Sequence, residues 1–271
     1  MNEEQFETEL IQYITSGTIT KPEHLEGISD FMVSEKPADY CVKTKLWKYE
    51  PKIKTTEKLW DNFKEILEQH NQNTLDHPLS TVEFNQVKKI ISDIQTPYEA
   101  GQFLYGLNGV SQIEIDLDDG RHVFLTVFDQ KQIGAGDTLY QVVNQIERPA
   151  IITGKQNRRF DTTLLINGLP IIQIEEKRDT HDVNEALNQM HQYSEENQYG
   201  DIFSTLQILV AITPNNVKYM ANTTPDKFNK DFAFNWQRKS DNTIVRNWKE
   251  FADSMLSIPM AHQMATNYMI L

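Results

Sequence analysis

A chain of 271 residues, 39% hydrophobic and 24% charged, can bury a substantial core as one domain or two and has the composition of a soluble globular protein. No stretch approaches the roughly 20 apolar residues that cross a bilayer, the acidic start MNEEQFETELIQYI is not a secretory signal, and the single cysteine, Cys41, excludes an internal disulfide framework and fits a reducing cytoplasm. The net charge of −13 disfavours a free-standing, sequence-indifferent nucleic-acid binder, whose affinity comes mainly from neutralising phosphates.

Phe6, Leu10, Ile11 and Ile14 recur at helical spacing and predict an amphipathic helix over residues 3–15. The following stretch, with Pro22, Pro37 and Pro51, reads as mixed and loop-rich. A helix over 58–70 places Leu59, Phe63, Ile66 and Leu67 on one face. The polar run QHNQNTLDHPL at 69–79 is the best linker in the chain, and a second helix follows over 81–93.

From residue 112 the pattern turns to strands. Residues 112–117 and 121–128 flank Asp118-Asp119-Gly120, a hairpin signal. A helix is expected over 138–147, stopping before Pro149. Strands over 160–166 and 171–177 join through Asn167-Gly168-Leu169-Pro170. Val183, Ala186, Leu187 and Met190 make the apolar stripe of a helix over 183–193. The continuous run LQILVAIT at 206–213 is a buried strand, followed by a short strand at 232–236 and a helix over 244–256. Hairpins and helices in this order predict an α/β or α+β fold around a central sheet.

Three (D/E)-x-K triplets occur, and a triplet alone carries almost no information. Glu50-x-Lys52 contains Pro51, which disfavours a central strand. Asp129-x-Lys131 ends the first hairpin; a two-residue Asp119-Gly120 turn puts Asp129 opposite Val110 and Asp116 opposite Val123, leaving Asp129 without a carboxylate partner. Glu175-x-Lys177 differs. If residues 167–169 form a three-residue loop, Ile166 pairs with Pro170 and Asp161 faces Glu175. Side-chain alternation then puts Lys177 on the face of Glu175. A two-residue Asn-Gly turn would shift the register by one and spoil the alignment. Paired carboxylates of this kind hold Mg²⁺, a hard cation that keeps waters for a substrate phosphate. A neighbouring lysine orients the attacking water and offsets phosphoryl charge. The same spacing fits a salt-bridged hairpin end equally well. Gln189 and Tyr193, four apart on the next helix, share a face and reach a phosphate or a bound water as readily as they edge a solvated helix.

Asp161, Glu175-x-Lys177 and Gln189-x-x-x-Tyr193 together resemble the PD-(D/E)xK nuclease signature with the QxxxY motif of its RecB-like branch. The string RRFDTTLLINGLPIIQIEEKR…EALNQMHQY is similar to the N-terminal nuclease domain of type I restriction enzyme R subunits, from about Arg148 to Phe251. The resemblance implies an α/β fold with a central mixed β-sheet flanked by helices, the restriction-endonuclease-like core. It divides the chain into a mixed helical region at 1–110, a nuclease core at 111–260 and the start of a linker at 261–271. It further implies that Asp161 and Glu175 bind the metal, with a backbone carbonyl near Glu176, and that Lys177 is the catalytic lysine. Gln189, Tyr193 and the helix carboxylate Glu7 would support them, and Arg158, Arg159 and Arg178, with Lys155, would rim the DNA. The implied cofactor is Mg²⁺, with Mn²⁺ as a substitute. The implied partners are double-stranded DNA and the methyltransferase (M) and specificity (S) subunits; no membrane is involved. Phe160 departs from the family by standing where its name advertises proline.

ATP would act only through a motor that this chain lacks, since no GxxxxGK[ST] occurs, and a fragment of a longer polypeptide is expected. Two rivals stay open: a nuclease-like docking module that does not cut, and a stand-alone PD-(D/E)xK repair nuclease. His181 and His191 are expected to be solvated, the four tryptophans to be packing residues, and the acidic run Glu114, Asp116, Asp118, Asp119 to be a solvated hairpin edge.

Overall fold

Two runs rich in branched aliphatic residues, β5 (Arg158–Ile166) and β6 (Leu169–Glu176), form the middle of the structure, a computed structural model that describes residues 2–16 and 46–268. Cys41, Pro22 and Pro37 lie outside the described residues. Around the hairpin the chain lays down α1 (Glu3–Ser16), β1 (Lys48–Tyr49), α2 (Thr56–His70), α3 (Thr81–Ser92), α4 (Pro97–Tyr105), β2 (Val110–Asp116), β3 (His122–Asp129) and β4 (Tyr140–Arg148). After it come α5 (Val183–Glu195), β7 (Ile208–Thr213), β8 (Asn216–Ala221), α6 (Trp248–Ser254) and α7 (Ile258–Gln263). Among the described residues the main sheet is six-stranded, in the order β1-β4-β5-β6-β7-β8, and β6 and β7 are parallel. Such a pair needs a crossover, which α5 supplies. The fold is thus mixed α/β with a sheet flanked by helices. No helix among the described residues is long and apolar enough to cross a membrane.

Strands β6 and β7 are buried throughout, which is why they read as continuous apolar runs. The first hairpin, β2–β3, stands apart as a two-stranded sheet beside α3 and α4. Its turn spans three residues, with the Leu117 N–H bonded to the Arg121 carbonyl, so Asp116 faces His122 rather than Val123. A bulge at Ser111/Gln112 then brings Val110 opposite Asp129.

The segment expected as a helix over 138–147 is β4. Leu139, Val142, Val143 and Ile146 mimic helical spacing, but Val142, Val143 and Ile146 are all buried between the sheet's two covered faces. Tertiary burial overrides the local period. The strand expected at 232–236 is reduced to a 3-10 turn and single bridges, Tyr219 to Phe234 and Gln237 to Ile244. The helix expected from Ile244 starts at Trp248, where Asn247 caps it. The stretch read as a linker at 69–79 is a packed connection: Asn71, Leu75 and Leu79 are buried, and Asn71 bonds to Thr126 of β3 in both directions. The described part of 261–271, expected as a linker, packs too, with His262, Ala265 and Thr266 buried. Helices α4 and α7 and strand β8 were not anticipated.

The β5–β6 connection is a two-residue turn, with Asn167 at φ 50° and Gly168 at φ 82° and Ile166 paired with Leu169. A bulge between Leu164 and Leu165 adds one residue on β6, so Leu164 pairs with Ile172. The shift introduced by the short turn is cancelled, and the expected register is restored by a route that differs from the three-residue loop.

Gly168 lies against α2, where an added Cβ would stand 2.9 Å from Phe63 Cα, in addition to its left-handed φ. Gly168→Ala is therefore expected to destabilise by about 1–3 kcal/mol, measured as a lower denaturant midpoint. His262 is fully buried, its Nδ1 2.7 Å from Tyr140 Oη, and burial pulls its imidazole down from 6.5 to about 4. As pH falls through this window the unfolded chain takes up the proton first. Stability of about 3 kcal/mol is then lost between the two values. Denaturant unfolding at pH 7 and 4.5 should show a smaller acid loss in His262→Gln than in wild type.

Candidate metal-binding site

The register that pairs Thr163 with Gln173 and Thr162 with Ile174 carries on to put Asp161 opposite Glu175. Their carboxyl groups stand close enough for each to shift the other's ionisation. Lys177, just past β6, returns its Nζ to Glu175 Oε1 at 3.4 Å and to the Glu176 carbonyl at 3.0 Å. The N–H of Glu176 donates to Asp161 Oδ2 at 3.0 Å. The carboxylates and the amine thus converge at one end of the hairpin.

The environment opposes charge. Glu175 is fully buried, so desolvation first, and the neighbouring Asp161 second, push its carboxyl well above the ordinary range. Asp161, half-buried, is raised mainly by burial although the Glu176 N–H and Lys177 pull it down. Burial draws Lys177 down, but Glu175, Asp161 and Glu3 outweigh it and hold the ammonium above its usual value. Glu175 Oε1 is served by Lys177 and by Tyr193 Oη at 3.5 Å. Its Oε2 is sealed from solvent and has no hydrogen-bond partner among the described residues. An unserved carboxylate oxygen beside a second carboxylate and a backbone carbonyl is a donor set that suits a hard divalent cation.

Alternation along β6 turns Glu175 and Glu176 to opposite faces. On the Glu175 face, α5 brings Tyr193, fully buried, and Gln189, whose Nε2 donates to the Tyr193 hydroxyl. On the other face α1 brings Glu7. Asn144 Nδ2 and Gln145 Nε2 each donate to one of its oxygens, and Lys54 Nζ donates to the Asn144 carbonyl at 2.8 Å. Burial, with Asp161's charge adding, raises the Glu7 carboxyl. Glu7 therefore stands close enough to feel Asp161 and is oriented by amides.

The basic rim is divided. Arg158 is committed to buried Glu196 through Nε at 2.7 Å and Nη2 at 2.6 Å, and Lys155 lies 3.8 Å from the same carboxylate. Arg159 and Arg178 are exposed. His181 pairs with Glu185 at 2.5 Å, and His191 stacks on Phe228. Asp129 caps the turn that follows it by accepting from the Lys131 N–H. At the turn of the acidic hairpin, Asp119 comes within ligand reach of Asp76 and His77 from the connection between α2 and α3, but Arg121 holds both carboxylates. Phe160, just before Asp161, packs against Tyr193, Tyr199 and Phe203 beneath the site.

Three further side chains at the site carry no signal in the sequence. Glu176, the middle residue of the triplet, is buried with its Oε1 unpartnered among the described residues, and burial followed by Asp161 and Glu7 raises it strongly. Asn144 and Gln145 were hidden by the misassigned helix. Gln145, opposite Asp161 by register, has φ 55°, and the β4–β5 ladder skips that pair. Left-handed backbone at a non-glycine residue often marks a constrained site, but nothing in the local sequence announces it.

Residues 33–228 match the family model described as type I restriction enzyme R protein N terminus. The chain is 36% identical over 156 residues to the type I restriction enzyme EcoprrI endonuclease subunit of Escherichia coli, covering 56% of this chain and 48% of that protein. It is 30% identical over 220 residues to the type I restriction enzyme SauMSSORF170P endonuclease subunit of Staphylococcus aureus strain MSSA476, covering 81% of this chain and 22% of that protein. The chain thus spans less than half the length of either relative.

Because the folded Glu175 carboxyl is raised, its contribution to stability is present below the ordinary carboxylate value of 4.5 and is lost as pH rises through the folded value. In metal-free buffer at neutral pH, Glu175→Gln is expected to raise the melting temperature. An unchanged or lower value would mean that the carboxylate is better solvated than its burial implies.

Proposed function

The chain belongs to the family of type I restriction enzyme R protein N termini, and on that premise we propose that it is the DNA-cleaving domain of such a subunit, a divalent-cation-dependent endonuclease hydrolysing phosphodiester bonds. The observation that carries the proposal is the convergence of Asp161, Glu175 and Lys177, with Glu175 Oε2 left unserved. Asp161, Glu175 and the Glu176 carbonyl would hold Mg²⁺, or Mn²⁺ in its place, which supplies polarisation of the scissile phosphate and a bound water acidic enough to ionise near neutral pH.

The remaining work falls to the chain's own side chains. Lys177 stays an ammonium across the neutral range, so it donates to the attacking water and offsets charge on the phosphoryl oxygens. Tyr193, aligned by Gln189, steadies Glu175 from the α5 side, and Glu7 adds negative potential from the α1 side. Exposed Arg159 and Arg178 would contact the phosphate backbone, which fixes position without reading sequence. Little sequence preference is therefore expected of this domain. Target recognition belongs to the specificity subunit, and ATP-driven translocation to a motor whose phosphate-binding loop does not occur among these 271 residues.

Two measurements test the proposal. Calorimetric titration should show Mn²⁺ binding to wild type and none to Asp161→Ala; wild type that takes up no Mn²⁺ would instead favour a docking module. In a complete R subunit assembled with methyltransferase and specificity subunits, Lys177→Ala should lower DNA cleavage by about a hundredfold or more while ATP hydrolysis continues. Cleavage at the wild-type rate would sink the assignment.

A further inference from the structure

Strand register carries the row of the candidate site further across the sheet. Asp161 faces Glu175, Glu175 pairs with Ala211 across the parallel β6–β7 ladder, and Ala211 pairs with Lys218 across the antiparallel β7–β8 ladder. Residues directly opposite one another project to the same face of a sheet. Lys218 therefore stands on the face of Glu175, two strands and roughly 10 Å along the row. An independent contact fixes the same side. Lys218 Nζ donates to Asn184 Oδ1 at 3.1 Å, and Asn184 belongs to α5, the helix that brings Tyr193 to Glu175. The residue between the two is Ala211, whose methyl is fully buried, so no long side chain of the row separates them.

The lysine is not spent on a carboxylate. Among the described residues its hydrogen-bond partner is a neutral amide. The acids of the first turn of α5 are engaged elsewhere: Asp182 Oδ1 accepts from the Asn184 N–H at 2.8 Å, and Glu185 pairs with His181 at 2.5 Å. Other cations near the site differ in this respect, since Arg158 and Lys155 lie on Glu196 and Lys177 lies on Glu175. A half-buried ammonium beside two candidate cation ligands, in a chain of net charge −13, is thus left for an anion that arrives from outside. Lysine binds phosphate as a compact point charge. Held by Asn184, it has less freedom to lose on binding.

We propose that Lys218 binds a phosphate flanking the scissile one. The strand to be cut would then be held at two points, the cation at Asp161 and Glu175 and the ammonium two strands away. The inference rests on the nuclease reading above and adds a DNA contact to it. A contact of this kind fixes where the backbone lies without reading bases. A misplaced substrate reacts slowly even where the reacting groups are intact.

Lys218→Met removes the charge and keeps most of the stem. In a complete R subunit assembled with methyltransferase and specificity subunits, this variant should cut DNA about tenfold more slowly or worse. The positions of the cuts and ATP hydrolysis should not change, and Lys218→Arg should recover most of the rate. The melting temperature and the Mn²⁺ affinity of the Lys218→Met chain should equal those of wild type. Cleavage by Lys218→Met at the wild-type rate overturns the inference and leaves the site assignment standing. Equal losses in the Met and Arg variants, or a loss accompanied by weaker Mn²⁺ binding, also overturn it, because Lys218 would then serve the fold or the cation site and not the strand. Wild type that takes up no Mn²⁺ removes the site assignment and this inference with it.

Discussion

The pairing of β5 with β6 is the constraint on which the rest depends, and two local irregularities have to agree for it to work. The Asn167-Gly168 turn closes the hairpin in one register, and the bulge beside Leu165 moves it by one residue before the strands reach the site. Without the bulge Asp161 would face Glu175's neighbour, and alternation would turn the carboxylates to opposite sides of the sheet. The turn is pinned from outside: Asn167 Nδ2 donates to the Val127 carbonyl, Asn167 Oδ1 accepts from the Leu139 N–H, and Gly168 lies against Phe63 of α2. Packing far from the carboxylates thus decides whether they meet.

Meeting is expensive. Glu175, Glu176, Glu7 and Asp161 are drawn into a partly or wholly dry region, and each is raised by burial before any other influence. Lys177 and Lys54 supply nearby positive charge, yet Glu175 Oε2 and Glu176 Oε1 go unserved among the described residues. Isolated buried polar atoms cost free energy unless something binds them. An arrangement of that kind is retained where a ligand, here proposed to be a divalent cation, recovers the loss.

The charge balance of the domain bears on how it would meet DNA. At −13 the chain repels phosphates over long range, and several of its cations are consumed internally: Arg158 by Glu196, Arg121 by Asp76 and Asp119, Arg238 by Glu250. Arg158, expected at the DNA-facing rim, fastens the end of α5 through Glu196. What remains exposed near the site, Arg159 and Arg178, is a small electrostatic foothold. This fits the proposal that target recognition and translocation belong to other parts of a larger assembly.

Much of the architecture could be read from residues alone, because alternation and helical periodicity are local. The helices at α1, α2, α3 and α5, the buried strand β7 and the central hairpin all follow from such patterns, whereas the facing of Asp161 and Glu175, expected through a three-residue loop, is reached through a two-residue turn and a compensating bulge. The local code failed where burial is two-sided. In β4, apolar residues on both faces erase the period of two and leave a spacing that imitates a helix, which hid Asn144 and Gln145. Tertiary structure alone decided the bulge that rescues the register, the buried place of Glu176, the pairing of Arg158 with Glu196 and the row that ends at Lys218. Each of these depends on contacts between residues distant in sequence, and no local pattern records which distant group will arrive to satisfy a buried charge.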